Sequence, residues 1–250
     1  PLHLVDADCV MYFSQLRDYS QQKQTRFLFW FYRLSCILRG SVPIDDNDMM
    51  DFDAEIRRLQ DTKDLPMECG LWRSQIFLAG TMGRYEECAD LALEWADLCA
   101  KTLLAQGGNI RLRFHAALSG LIMAQHNPQK YKKMGLKNAA VIRSWMKKGN
   151  PNCLHLDTLL DAEKARLKSN RHDAIKAYES AIVLAARRGM IHEQALANER
   201  YADFLLRLGE SNEGMGRLQD AIKGYKEWGA NAKVHLLESE ITSMFHKEGD

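Results

Sequence analysis

Apolar residues along this chain recur at offsets of three and four, the spacing that lines up one face of an α-helix. The sharpest instance runs from Ala174 to Ile182, where Ala174, Tyr178 and Ala181 fall on one stripe. The two small residues let a neighbouring helix come close, and the tyrosine fills the groove beside them. A related stripe of Leu218, Ala221 and Tyr225 lies between Gly214 and Trp228. The offset from Ala174 to Gly214 is 214 − 174 = 40 residues. That falls within the range of roughly 33 to 47 that marks repeats built from helix pairs. Nowhere do apolar and polar residues alternate for more than a few positions, so no strand is expected. The expected fold is all-α, a superhelical stack of antiparallel helix hairpins.

Turn and cap residues divide the chain. A first helix is expected from about Asp6 to Tyr19 with Val10, Phe13 and Leu16 inward, and a second from about Thr25 to Leu38. The second is apolar on nearly every side and so is expected to be central. Beyond Gly40-Ser41-Val42-Pro43, the acids from Asp45 to Asp48 open a third helix carrying Phe52, Ile56 and Leu59. There they would satisfy free N–H groups and complement the helix dipole. An EF-hand loop counted from Asp45 needs Gly and Glu where Met50 and Ile56 stand, so capping rather than calcium is the reading.

Helix pairs follow: about Glu68 to Thr81 with about Tyr85 to Leu104, then a helix capped by Asn109 with one opened by Asn127-Pro128 and reaching Lys148. Gly107-Gly108 and Gly149-Asn150-Pro151-Asn152 are the breaks around them. The next pairs are about His155 to Lys168 with His172 to Arg188, closed by Gly189, and His192 to Leu208 with Asn212 to Trp228, closed by Gly229. Asn231 caps a last helix to about His246, with Val234, Leu237, Ile241 and Phe245 inward. Residues 1–64 are read as atypical N-terminal helices that cap the array, and residues 65–250 as the repeats.

With 46% hydrophobic and 27% charged residues, the chain can build a core and is not biased enough to be disordered. The most apolar run, Phe27 to Tyr32, is bounded by Arg26 and Arg33, far short of the ~20 residues a membrane span needs. No signal peptide is visible, and a cytoplasmic location is expected. Pro1 opens the chain with no Met before it, which points to a piece of a longer protein. Cys9, Cys36, Cys69, Cys88, Cys99 and Cys153 show no Cys-x-x-Cys spacing and sit among apolar residues. Reduced, buried thiols are the expectation.

The net charge of +1 conceals a split. Asp45 to Asp97 holds five Lys and Arg against fourteen Asp and Glu, so 5 − 14 = −9. Leu98 to Leu156 holds ten Lys and Arg and no acid, so +10. Two such blocks either face one another across stacked layers or present poles to partners.

The turn Gly83-Arg84-Tyr85-Glu86-Glu87-Cys88 matches that of a tetratricopeptide unit. Ala162, Ala174, Tyr178 and Ala181, then Ala202, Gly214, Leu218 and Ala221, occupy that family's small and aromatic positions. The signature Trp and the following Pro are missing from the first of these units. Three phrases carry a narrower resemblance: Gly149 to His155 with Leu160-Asp161-Ala162-Glu163, His192 to Tyr201, and Tyr225 to Val234. Across about Lys147 to Leu237 the chain resembles the tetratricopeptide-like helical region of multidomain STAND-type signalling ATPases, which carry kinase, cyclase or histidine-kinase modules. That resemblance implies a rigid superhelix coupling modules or docking a partner, and it implies no catalytic residue here.

No constellation of reacting side chains emerges. His192-Glu193 would need His at 196 for a zinc motif, where Leu196 stands. Cys153 and His155 lack a further ligand pair. Gly214-Met215-Gly216 follows no strand and lacks its third Gly, and no Walker or kinase signature occurs. Asp157, Asp161 and Glu163 sit on one helix, and the spacing from 157 to 161 is read as two acids on one solvated face.

Two sets of residues are candidates for partner binding. Inner helices of a tetratricopeptide array offer Glu163, Arg166, Glu199, Asp203 and Arg207. These do not form the Lys and Asn clamp that grips a peptide's terminal carboxylate. The basic block offers Lys130, Lys132, Lys133, Lys137, Arg143, Lys147 and Lys148 around Tyr131 and Trp145. It is read first as a solvated helix with Trp145 in the core, then as a site for an acidic protein, and last as a nucleic-acid or lipid surface.

The expected function is a non-catalytic scaffold for protein–protein or interdomain contacts in a signalling ATPase, with no cofactor and no metal. Its partners are proteins or other domains of the same chain. Nucleic acid and small molecules are not expected. The alternatives are a stand-alone peptide- or protein-binding adaptor and an enzyme with an unrecognised helical active site.

Overall fold

The computed structural model describes residues 1–19, 21–41, 52–101 and 109–247. Among them every regular element is a helix, and there is no strand. The helices are α1 (Leu2–Asp18), α2 (Gln22–Arg39), α3 (Phe52–Asp61), α4 (Leu65–Thr81), α5 (Tyr85–Lys101) and α6 (Asn109–Met123). They continue as α7 (Pro128–Lys147), α8 (Leu154–Leu167), α9 (Arg171–Arg187), α10 (Ile191–Arg207), α11 (Ser211–Trp228) and α12 (Asn231–Lys247). The acidic cap expected at Asp45 to Asp48, the Gly107-Gly108 break and the side chains of Phe52, Cys99 and Phe245 lie outside what is described.

Local chemistry explains the boundaries. Asn127 opens α7 with its side chain accepting from the Lys130 N–H, just ahead of Pro128 at the first helical position. Asn170 caps α9 in the same way through the Asp173 N–H. The turns are closed by residues in the left-handed region, and from Gly149 these fall at even intervals: Gly149, Ser169, Gly189, Gly209 and Gly229, each 20 residues after the last. One helix plus its turn therefore takes 20 residues there, and a pair takes 40. Within this series Ser169 stands at the left-handed angle without glycine's freedom, as Lys63 does earlier in the chain.

The buried faces repeat with the same interval. The buried residues of α9 are Ala174, Tyr178, Ala181 and Ala185, and those of α11 are Gly214, Leu218, Ala221 and Tyr225. Each residue of the second set lies 40 places after its counterpart. Gly214 is required because a Cβ there would stand 2.8 Å from Leu206 Cγ. These narrow stripes make α9 and α11 peripheral. By contrast α10 buries eleven residues and is the central helix of this half.

Helices adjacent in the chain pack as pairs: α1 on α2, α4 on α5, α6 on α7, α8 on α9 and α10 on α11. The even-numbered members also touch in sequence, α2 on α4, α4 on α6, α6 on α8 and α8 on α10. The series then closes, because α12 packs on α2. Leu2, Leu38, Leu78, Leu218, Tyr225 and Val234 share one core cluster across that closure. A second and larger cluster runs from Phe114 through Leu160 and Tyr178 to Leu205.

The N-terminal helices depart from expectation. Helix α1 starts at Leu2, and it turns Leu2 and Cys9 inward while Val10 is 44% exposed. Phe13 and Leu16 are only partly buried. The face is set by α2, its main neighbour, rather than by the most apolar stripe. Helix α2 buries Trp30, Tyr32, Cys36 and Leu38 but leaves Phe27, Phe31 and Ile37 exposed. Its neighbours cover only part of its circumference, so all-round apolarity did not make it the centre. The described cysteines, Cys9, Cys36, Cys69, Cys88 and Cys153, are free and buried. No described helix is long and apolar enough to cross a membrane.

Candidate functional site

Four of the inner-helix candidates, Glu163, Arg166, Glu199 and Asp203, form a largely interior charge network, with Arg207 exposed at its margin. Glu163 on α8 is fully buried and accepts from Arg200 Nε at 2.7 Å and from Tyr178 OH at 3.0 Å. Asp203, one turn along α10, meets Arg200 at 3.3 Å, Arg166 at 2.8 Å and Arg207 at 3.0 Å. Burial alone would raise the Asp203 carboxyl, but these guanidinium groups hold it down at about 2. Arg200 also lies over the Tyr85 ring, 5.0 Å from its centroid. Glu199 accepts from Tyr225 OH and from Lys233 Nζ, both at 2.7 Å. Lys233 is 1% exposed, an ammonium kept inside only because a carboxylate meets it. Charges on α8, α10 and α12 thus tie non-adjacent helices together.

Of the five, only Asp203 and Arg207 reach an open groove, which has a volume of about 670 Å³ and also includes Arg84, Glu86, Glu87 and His126. The reading of Asp157 and Asp161 as two acids on one solvated face is corrected. Asp157 and Glu163 are buried, and only Asp161 is exposed to a large degree. Residues four apart do share a face, but α7 covers this one. Arg143 of α7 bonds Asp157 Oδ2 at 2.8 Å and Asp161 at 2.5 Å.

That contact removes Arg143 from the basic block as a free charge. Lys130 is also engaged: its Nζ meets Asp90 at 2.7 Å, and Tyr131 OH donates to the same Asp90 oxygen at 2.9 Å. Here a residue of the basic block does answer one of the acidic block. Tyr131 is buried, and Trp145 packs against the core cluster, so neither ring is presented for stacking. Lys132, Lys133, Lys137, Lys147 and Lys148 remain exposed on α7 and just past its end, with no acidic partner among the described residues.

A cavity of about 700 Å³, which the sequence did not reveal, lies between α2, α4, α6, α8 and α10. Phe27, Phe31, Phe77, Leu156 and Trp228 supply apolar walls, and Arg73, Arg111, His155, His192 and Glu193 supply polar groups. Burial would raise the Glu193 carboxyl, but His155 and His192 hold it well below the usual carboxylate range. Its Oε2 is bonded by His155 Nε2, and its Oε1 is reached by Arg111 Nε at 3.3 Å. His192 is the second residue of α10 and stacks on Trp228, with ring centroids 4.7 Å apart. Arg73 has no acidic partner among the described residues, and burial lowers its pKa. Among the described residues no cluster of three or more His, Cys, Asp or Glu could hold a metal. The advance signal of the cavity was the His192-Glu193 pair at the start of a helix otherwise rich in Ala and Leu, and it does not specify what lies opposite.

Compared with models of protein families, with curated proteins and with solved structures, the chain matches none.

Proposed function

We propose that this chain is a non-catalytic helical-repeat scaffold, a superhelical stack of tetratricopeptide-like hairpins that docks an acidic protein surface or another domain of its own parent chain. Residues 1–64 cap the array and residues 65–250 form the repeats. The 20-residue recurrence of turn residues and the matched stripes of α9 and α11 support the repeat reading. The observation that carries the function is the row of exposed lysines on α7 with no acidic partner among the described residues: Lys132, Lys133, Lys137 and Lys147. Like charges kept unneutralised on one helix face cost self-repulsion, which an acidic partner relieves. The sequence resemblance further favours a cytoplasmic signalling ATPase as the parent. A free-standing adaptor is the second reading, favoured by the open polar groove at Asp203 and Arg207.

Two measurements decide between them. The parent reading frame is expected to encode an ATPase core on the N-terminal side, whereas a frame hardly longer than this chain would leave the adaptor. Combined Lys132→Glu, Lys133→Glu and Lys137→Glu substitution is expected to abolish association with the other domains of the parent. Association that persists unchanged would remove the lysine face from the interface.

A further inference from the structure

We propose that the cavity between the even-numbered helices binds a small amphipathic monocarboxylate, one carboxylate on an apolar body. Its volume of about 700 Å³ suits such a molecule, since small-molecule sites span roughly 300–1,000 Å³ and combine apolar walls with a few convergent polar groups. Phe27 and Phe31 are exposed and stand at its edge, so a ligand has a way in. Trp228 and Phe77 lie among the apolar walls.

The charge on the ligand follows from what the cavity leaves unpaired. Glu193 already receives His155, His192 and Arg111, so it has no demand for an outside cation. Arg73 is half-buried and meets no carboxylate among the described residues. A guanidinium withdrawn from water without a partner is costly, and a carboxylate is its matched bidentate acceptor. His155 does not share this role: it is 3% exposed, its Nε2 is held by the Glu193 carboxylate, and donation from Nε2 leaves the neutral ring's partnerless Nδ1 an acceptor, so the ligand's carboxylate falls to Arg73 alone. The inference stands apart from the scaffold reading, because the lysine face of α7 contributes nothing to this cavity.

The test uses the purified chain with laurate, and with 1-dodecanol as the uncharged analogue. Saturable one-to-one binding of laurate, followed by the fluorescence of Trp228 against a Trp228→Phe control, is expected. Arg73→Met should weaken laurate by about tenfold or more, and Arg73→Lys should restore part of it, since a hydrogen bond to a charged group is worth roughly that factor. Dodecanol should bind both forms alike. Absence of saturable laurate binding overturns the proposal, as does equal loss of laurate and dodecanol in Arg73→Met. A melting temperature of Arg73→Met matching the parent confirms that folding is intact. Should that variant unfold, laurate competing no better than dodecanol on the unaltered chain overturns the proposal by itself.

Discussion

Arg200 on α10 reaches Glu163 on α8 with 2.7 Å between Nε and Oε1, and both side chains are sealed from water. Both have further partners, Tyr178 on the carboxylate and Asp203 on the guanidinium. The pair therefore fixes the spacing of two helices that are not consecutive in the chain.

Removing one member should be far worse than removing both. Glu163→Ala leaves Arg200 buried beside a single partly exposed acid and is expected to cost about 3–5 kcal/mol. Glu163→Leu combined with Arg200→Met should recover most of that, because an apolar pair has no charge to desolvate. Urea unfolding followed by circular dichroism measures both, and equal losses in the single and double variants would refute the account.

The two kinds of charge in the basic block should separate cleanly. Arg143→Met strands Asp157, which is 3% exposed, and is expected to cost about 1–3 kcal/mol. Lys137→Ala, on the exposed face of the same helix, should change stability by no more than about 0.5 kcal/mol. Thermal melts of the two variants decide it.

Close backbone approach predicts a third result. A Cβ on Gly120 of α6 would lie 2.7 Å from Gly135 Cα of α7, and one on Gly135 would lie 2.8 Å from the Gly120 carbonyl carbon. Gly135→Ala must push these helices apart, although alanine is the better helix former. It is expected to cost about 1–3 kcal/mol. A rise in melting temperature would show that the contact is not tight.

The fourth prediction concerns pH. His115 is buried, its Nδ1 has no partner, and burial lowers its pKa from 6.5 to about 3. As pH falls below 6.5 the unfolded ring takes up a proton that the folded ring refuses, so stability declines. The slope approaches about 1.4 kcal/mol per pH unit. Glu193 and Asp203, both depressed, act only further down: their contributions are complete above 4.5 and 3.8 and are lost as pH falls through their folded values. His115→Leu should therefore flatten the curve between pH 6.5 and 4.5 and leave the acid limb below it. An unchanged slope in that variant would assign it to another group.

Much of the fold was legible along the chain. Spacing of three and four placed the helices, Asn127, Gly189 and Gly229 marked their ends, and the stripe of Ala174, Tyr178 and Ala181 named the buried face of α9. Those are local matters: a helix end depends on its own few residues, and a narrow stripe on a peripheral helix has one neighbour to answer. Gly120 and Gly135 could have been noticed too, as glycines inside helical patterns that no turn explains.

What folding alone decided was every relation between residues distant in sequence. Asp157 and Glu163 look like surface acids until α7 and α10 bring Arg143 and Arg200 to them. Apolar α2 becomes a cavity wall because α12 returns to cover only one side of it. Arg73, without an acidic partner among the described residues, acquires meaning only once the helices around it define a space. Periodicity tells which face of a helix avoids water, but charge, burial and vacancy are properties of pairs of faces, and which faces meet is set by packing across the whole chain.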